Sequence, residues 1–145
     1  MSTEENKALV RRLFAAWNDV WLPTGDRTAV EQFLAPDIVS HTGSTTIHSR
    51  DAWLQLEEQF NRSFPDLRFA IEDQIAEGDQ VVTRFTVRGT HRGELMGIAP
   101  TGKAVQLTGI LISRLSGGRV VERWDEYDAL GLMQQLGVLP ELGPA

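Results

Sequence analysis

The stretch Gly97-Ile98-Ala99-Pro100-Thr101-Gly102-Lys103-Ala104 comes within one residue of the phosphate-loop pattern G-x-x-x-x-G-K-[ST]. That chemistry needs a hydroxyl after the lysine to hold magnesium and a helix whose N-terminus faces the phosphates. Ala104 removes the first requirement, and Val105-Gln106-Leu107-Thr108-Gly109-Ile110, which is strand-like, removes the second. Pro100-Thr101-Gly102-Lys103 reads instead as a turn between two strands, with Gly102 at positive φ.

Other nucleophile and metal chemistries find little footing. The chain has no cysteine, which excludes disulfides, thiolate nucleophiles and cysteine-based metal sites. No G-x-S-x-G elbow is present. The three histidines, His41, His48 and His91, form neither H-x-x-x-H nor H-E-x-x-H, so no metal site is expected. Among the carboxylates, Asp73 falls in phase with Phe69, Ile71 and Ile75, which predicts a position on the buried face of a strand. A buried Asp must be paired or functional, and the same parity puts Arg84 on the other face.

The elements that must position these groups follow from periodicity. Leu9, Val10, Leu13, Phe14, Trp17, Val20 and Trp21 recur at helical spacing and predict a helix from Thr3 to Trp21, opened by a Ser2/Glu5 capping box and broken by Pro23 and Gly25. A short second helix is predicted from Thr28 to Ala35, stopped at Pro36, and a third from an N-cap at Ser49 to Phe64, with Trp53, Leu56, Phe60 and Phe64 on one side. After Asp66 the period shortens to two: strands are predicted over Leu67 to Ile75, Val81 to Arg88, Val105 to Leu115 and Arg119 to Tyr127, joined by "EGDQ" and "SGGR" turns. Ala129 to Leu136 closes the chain as a short helix ending at Gly137, with a loose tail PELGPA. Helices followed by hairpin-joined strands predict an α+β fold, helices lying on one face of a curved antiparallel sheet.

Composition bounds the partners. At 145 residues the chain fits one domain spanning 1–145. With 20 acidic against 14 basic side chains, a net charge of -6 and no long basic run, nucleic acid is not an expected partner. The start MSTEENKAL lacks the basic and apolar regions of a signal peptide. No apolar stretch approaches the roughly 20 residues of a membrane helix. A cytoplasmic protein without a membrane partner is expected.

Longer segments carry a family resemblance. "FPDL", "AEGDQVVTRFTVRGTHRGELMGIAPTGKAV" and "ISRLSGGRVVERWDEYDALGLMQQLG" resemble the SnoaL-like polyketide (ester) cyclases of the nuclear-transport-factor-two-like superfamily, over nearly the whole chain. The resemblance implies a cone-shaped barrel, a strongly bent sheet wrapped around helices with a deep apolar pocket. It also implies a homodimer packed through outer sheet faces and an apolar small-molecule substrate. By this resemblance Asp125, on the last strand, is the general acid/base for a cofactor-independent intramolecular aldol closure, in which an enolate attacks a carbonyl of the same molecule. Burial would raise the pKa of such a carboxylate toward working pH.

One position departs from the pattern: Leu111 stands where the nogalonic-acid-type cyclases place a histidine, and leucine cannot hydrogen-bond to a developing enolate oxygen. The resemblance makes His41 and His91 the candidates to assist Asp125. It also leaves several aromatic residues of an otherwise core-forming set, Trp17, Trp53, Phe60, Phe85 and Tyr127, to line a pocket for a flat or polycyclic ligand. Two alternatives accompany the cyclase reading. One is a non-catalytic ligand-binding or dimerisation module, and the other an epoxide hydrolase in which Asp73, Asp125 and an arginine converge.

Overall fold

The computed structural model describes residues 1–20 and 25–140. Its elements run α1 (Thr3–Val20), α2 (Thr28–Glu31), β1 (Leu34–Thr42), β2 (Thr45–Ile47), α3 (Arg50–Ser63), β3 (Arg68–Glu77), β4 (Gln80–Thr90), β5 (Ala104–Ser116), β6 (Arg119–Tyr127) and α4 (Ala129–Gln135). The strands form one sheet in the order β2-β1-β6-β5-β4-β3, curved but not closed into a barrel. It is an α+β fold with helices packed against the sheet. The predicted end of the first helix at Trp21, the break at Pro23 and most of the tail lie outside the described residues.

The two long helices start as their sequences dictate. Glu5 N–H donates to Ser2 Oγ at 3.0 Å while Ser2 N–H reaches Glu5 Oε1 at 3.3 Å, a reciprocal capping box. Ala52 N–H donates to Ser49 Oγ at 3.0 Å and caps α3, a bond of the kind whose loss costs about 1 kcal/mol. The apolar stripe of α1, Leu9, Val10, Leu13 and Trp17, is buried together with Trp53 and Leu54 of α3 against Leu34, Ile38, Val81, Leu115 and Val120 of the sheet. The unpaired edge of β3 is partly satisfied by α1: Asn18 donates to the Phe69 carbonyl at 2.9 Å and accepts from the Phe69 amide at 2.7 Å.

Three expectations are corrected. The second helix does not reach Ala35, because it ends at Glu31 and the chain enters β1 at Leu34. Leu34, Ile38 and Ser40 are buried there, and the register shift between Leu34 and Val39 accommodates Pro36, which has no amide to donate. The sheet is not wholly antiparallel either, since β1 pairs with β6 in parallel, Ser40 beside Arg123 and Thr42 beside Asp125. Third, a bulge between Ile71 and Asp73 breaks the alternation of β3. Beyond it Gln74 and Ala76 turn inward while Asp73 and Ile75 face outward, Ile75 being 71% exposed.

Candidate active site

The helices and the inner sheet face enclose a cavity of two lobes. The smaller, about 60 Å³, lies between Leu13, Trp17 and Trp53 on the helix side and Leu111, Ser113 and Arg123 on the sheet side. The larger, about 340 Å³, runs from Phe60 and Leu56 of α3 past Val87, Leu107 and Tyr127 to Leu95 and Met96 of the β4–β5 connection. Glu57, Phe69, Phe85 and Asp125 line both lobes and so stand at the boundary between them. The volume of the larger lobe falls within the range of small-molecule sites, about 300–1,000 Å³. Gly109 makes room for Phe85: a Cβ there would stand 2.4 Å from the Phe85 ring.

Arg123 and Asp125 are two apart on β6 and therefore point to the same side, into the cavity. Arg123 is 8% exposed and is held on three sides. Its Nη1 donates to Ser40 Oγ at 2.9 Å, its Nη2 lies 3.4 Å from Asp125 Oδ2, and its guanidinium sits 4.4 Å over the Trp53 ring, which itself stacks on Trp17 at 5.1 Å. Asp125 is thus paired as a surface strand end would be, yet it is not solvated, its side chain being 15% exposed. The second oxygen, Oδ1, is buried without a partner. Desolvation pushes the Asp125 carboxyl above the usual range, and the Arg123 charge and hydrogen bond oppose that rise without cancelling it. Leu111 lies directly across from Asp125 in the β5–β6 register and contributes only an apolar wall.

A second carboxylate shares the cavity, and sequence reasoning missed it. Glu57 follows Trp53 by four residues and precedes Phe60 by three, so it lies on the inward stripe of α3. That spacing was the available signal. Trp53 Nε1 donates to Glu57 Oε1 at 3.1 Å. Burial raises the Glu57 pKa to about 7, the Asp125 charge adding to the rise and Arg123 and the Trp53 hydrogen bond restraining it. The Tyr127 hydroxyl is also pushed up, first by burial and then by the charges of Asp125 and Glu57.

Of the residues singled out from sequence, the structure brings Trp17, Trp53, Phe85, Leu111 and Asp125 to the smaller lobe and Phe60, Phe85, Asp125 and Tyr127 to the larger. It keeps three others away. His91 is fully buried but lines neither lobe: its Nδ1 accepts from the Thr101 amide at 3.2 Å, while its own amide donates to the Lys103 carbonyl at 2.9 Å and its carbonyl accepts from the Gly102 amide at 2.8 Å. The histidine of "GTHRGE" is therefore the clasp for "PTGK", and Gly102, at φ 70°, makes the turn. His41 lies on the outer face, stacked on Trp124 with ring centres 5.4 Å apart, its Nε2 2.8 Å from Glu122 and its Nδ1 3.1 Å from Thr46 Oγ1.

Asp73 is the third, because the bulge turns it outward onto Arg84 in a two-pronged pair of 3.0 and 3.2 Å. It does not reach the cavity, so the convergence of Asp73 and Asp125 expected of an epoxide hydrolase does not form. Among the described residues no three His, Asp or Glu side chains gather as a metal site.

Solved structures with this architecture are numerous. AclR of Streptomyces galilaeus, provisionally assigned as a hydroxylase, is 35% identical with a TM-score of 0.85, the match covering 98% of this chain and 87% of that one. IdmH of Streptomyces antibioticus, provisionally assigned as a polyketide cyclase, is 32% identical with a TM-score of 0.79, covering 92% and 99%. TsrD of Streptomyces laurentii is 26% identical with a TM-score of 0.81, covering 96% and 99%. No curated protein matches the chain. The model of the SnoaL-like polyketide cyclases matches residues 9–136, helices, sheet and cavity included, and the chain belongs to that family.

Proposed function

We propose that the protein is a cofactor-independent acid/base enzyme acting on an apolar, polyketide-like carbonyl compound, with Asp125 as the base. The observation that carries this reading is the Asp125 carboxylate, which lines both lobes and whose Oδ1 atom is buried without a partner. Such an oxygen can take a proton from a carbon flanked by carbonyl groups. The resulting enolate carbon then attacks a second carbonyl carbon of the same molecule, a C–C bond forms, and the carbonyl electron pair moves to oxygen. Arg123 holds Oδ2 and thereby fixes the carboxylate, leaving Oδ1 uncommitted. Phe60, Phe85 and Tyr127 offer the larger lobe to a ring system.

The test follows the first step alone. Ethyl benzoylacetate in deuterated buffer exchanges its activated C–H, and the exchange is read by proton NMR. The protein is expected to accelerate exchange above the buffer rate, and Asp125→Asn to lower that acceleration by a factor on the order of 100 or more. Absence of acceleration by the native protein, or an Asp125→Asn variant as fast as native, would leave the apolar cavity as a binding site without catalysis.

A further inference from the structure

We infer that Glu57 is a second catalytic group, the proton donor that works opposite Asp125. This rests on the carbonyl chemistry proposed above and adds the step which that chemistry lacks, protonation of the oxygen that receives the electron pair.

Charge balance is the first argument. Among the described residues Arg123 is the only basic one lining either lobe, and it shares the smaller lobe with two carboxylates, Glu57 and Asp125, while Glu94 of the larger lobe is exposed to solvent. One cation among apolar walls neutralises one anion, so the neutral arrangement keeps a proton on one of the two acids. The hydrogen bonds decide which. Arg123 donates to Asp125 and to Ser40, whereas the partner of Glu57 is the neutral indole of Trp53. A guanidinium favours an ionised carboxylate far more than an indole N–H does, so Asp125 is the anion and Glu57 holds the proton.

The position of that proton follows from the indole. Nε1–H can only donate, so Oε1 of Glu57 is its acceptor and the proton belongs on Oε2. Around Glu57 stand Trp53 on its own helix, Arg123, Asp125 and Tyr127 of β6, and Phe69 and Phe85 of β3 and β4. None of these offers a second strong acceptor to take the proton except Asp125.

The cycle closes in protons. Asp125 takes H⁺ from carbon while the Glu57 proton hydrogen-bonds the enolate oxygen that receives the electron pair, so Glu57 already acts in the exchange step. After C–C bond formation Glu57 gives H⁺ to the new alkoxide oxygen, and the substrate leaves as an isomer. The pair is then left as Asp125–H and Glu57⁻, and return of the proton from one to the other resets the site.

Two measurements test the donor role. In ¹³C NMR of protein labelled at the Glu and Asp carboxyls, a signal absent from Glu57→Gln should titrate near pH 7, and its midpoint should fall in Asp125→Asn as the neighbouring negative charge is removed. In ethyl benzoylacetate exchange, the native rate should drop on the basic side as Glu57 loses its proton. Glu57→Gln should lose that basic limb and run roughly 10- to 100-fold slower, while Glu57→Asp should keep a limb.

A Glu57 signal titrating in the ordinary carboxylate range, or an unchanged basic limb in Glu57→Gln, overturns the donor role. The two proposals separate cleanly. A limb lost in Glu57→Gln beside an Asp125→Asn variant as fast as native retains the donor and removes the base. No exchange above buffer by the native protein removes both.

Discussion

Arg123 engages only one side of Asp125: Nη2 lies 3.4 Å from Oδ2, and Oδ1 has no partner. The cation is itself pinned by Ser40 Oγ at 2.9 Å and by the Trp53 ring at 4.4 Å. A buried carboxylate held at one oxygen and free at the other is oriented without being fully quenched.

Arg123→Met should therefore do two things at once. Loss of the cation leaves Asp125 buried and uncompensated, a change that typically costs about 3–5 kcal/mol. Chemical denaturation should show that loss, smaller in Arg123→Met/Asp125→Asn because the orphaned charge is gone. Exchange activity should disappear in both variants.

The raised Glu57 pKa makes stability depend on pH. In the folded protein its pKa is about 7, against an ordinary 4.5 in the unfolded chain. Folded molecules hold this proton more tightly, so its contribution is complete below pH 4.5 and is lost as pH rises through 7. The loss amounts to about 3 kcal/mol at most. Urea denaturation at intervals between pH 4.5 and 8 should show native stability falling relative to Glu57→Gln, and parallel curves would contradict the assignment. The raised Asp125 pKa acts with the same sign.

Gly109→Ala should narrow the cavity. Its Cβ would meet the Phe85 ring at 2.4 Å, and the ring lines both lobes. The fold should survive with a cost of about 1–3 kcal/mol. Binding of a fluorescent aromatic probe should weaken in titrations, with little change in the pH midpoint of exchange.

His91→Ala should behave as a structural lesion. Removing the ring leaves the Thr101 amide without its acceptor and opens a void beside Phe64, whose ring centre lies 5.5 Å from that of His91. A loss of about 1–3 kcal/mol is expected by thermal denaturation. The shape of the exchange pH profile should be unchanged, since the imidazole lines neither lobe.

Asp73→Ala should leave exchange unaffected and change stability little, because its pair with Arg84 is exposed and screened by solvent. Denaturation and exchange assays on the one variant check both halves.

The helix-then-strand order was legible in local chemistry. Capping residues, Pro and Gly punctuation and the change of period act within a few residues of chain, and α1, α3 and the four later strands follow them closely. Strand β1 was not legible: "LAPDIVSH" carries Pro36 and no clean alternation, and it becomes a strand through parallel pairing with β6, more than 80 residues away in the chain.

Site residues divide along the same line. The type and strand position of Asp125, the aromatic supply and the missing histidine at Leu111 are properties of the linear chain and its family pattern. Which side chains meet is not. One extra residue in β3 reverses the parity of Asp73, and a parallel neighbour on β6 puts His41 on the outer face beside Trp124. A helix stripe laid over Arg123 and Asp125 turns an ordinary glutamate, Glu57, into the second acid of the cavity. Burial and the charge of neighbours set the chemistry of a carboxylate, and both come from elements distant in sequence, so they exist only once the helices have closed over the sheet.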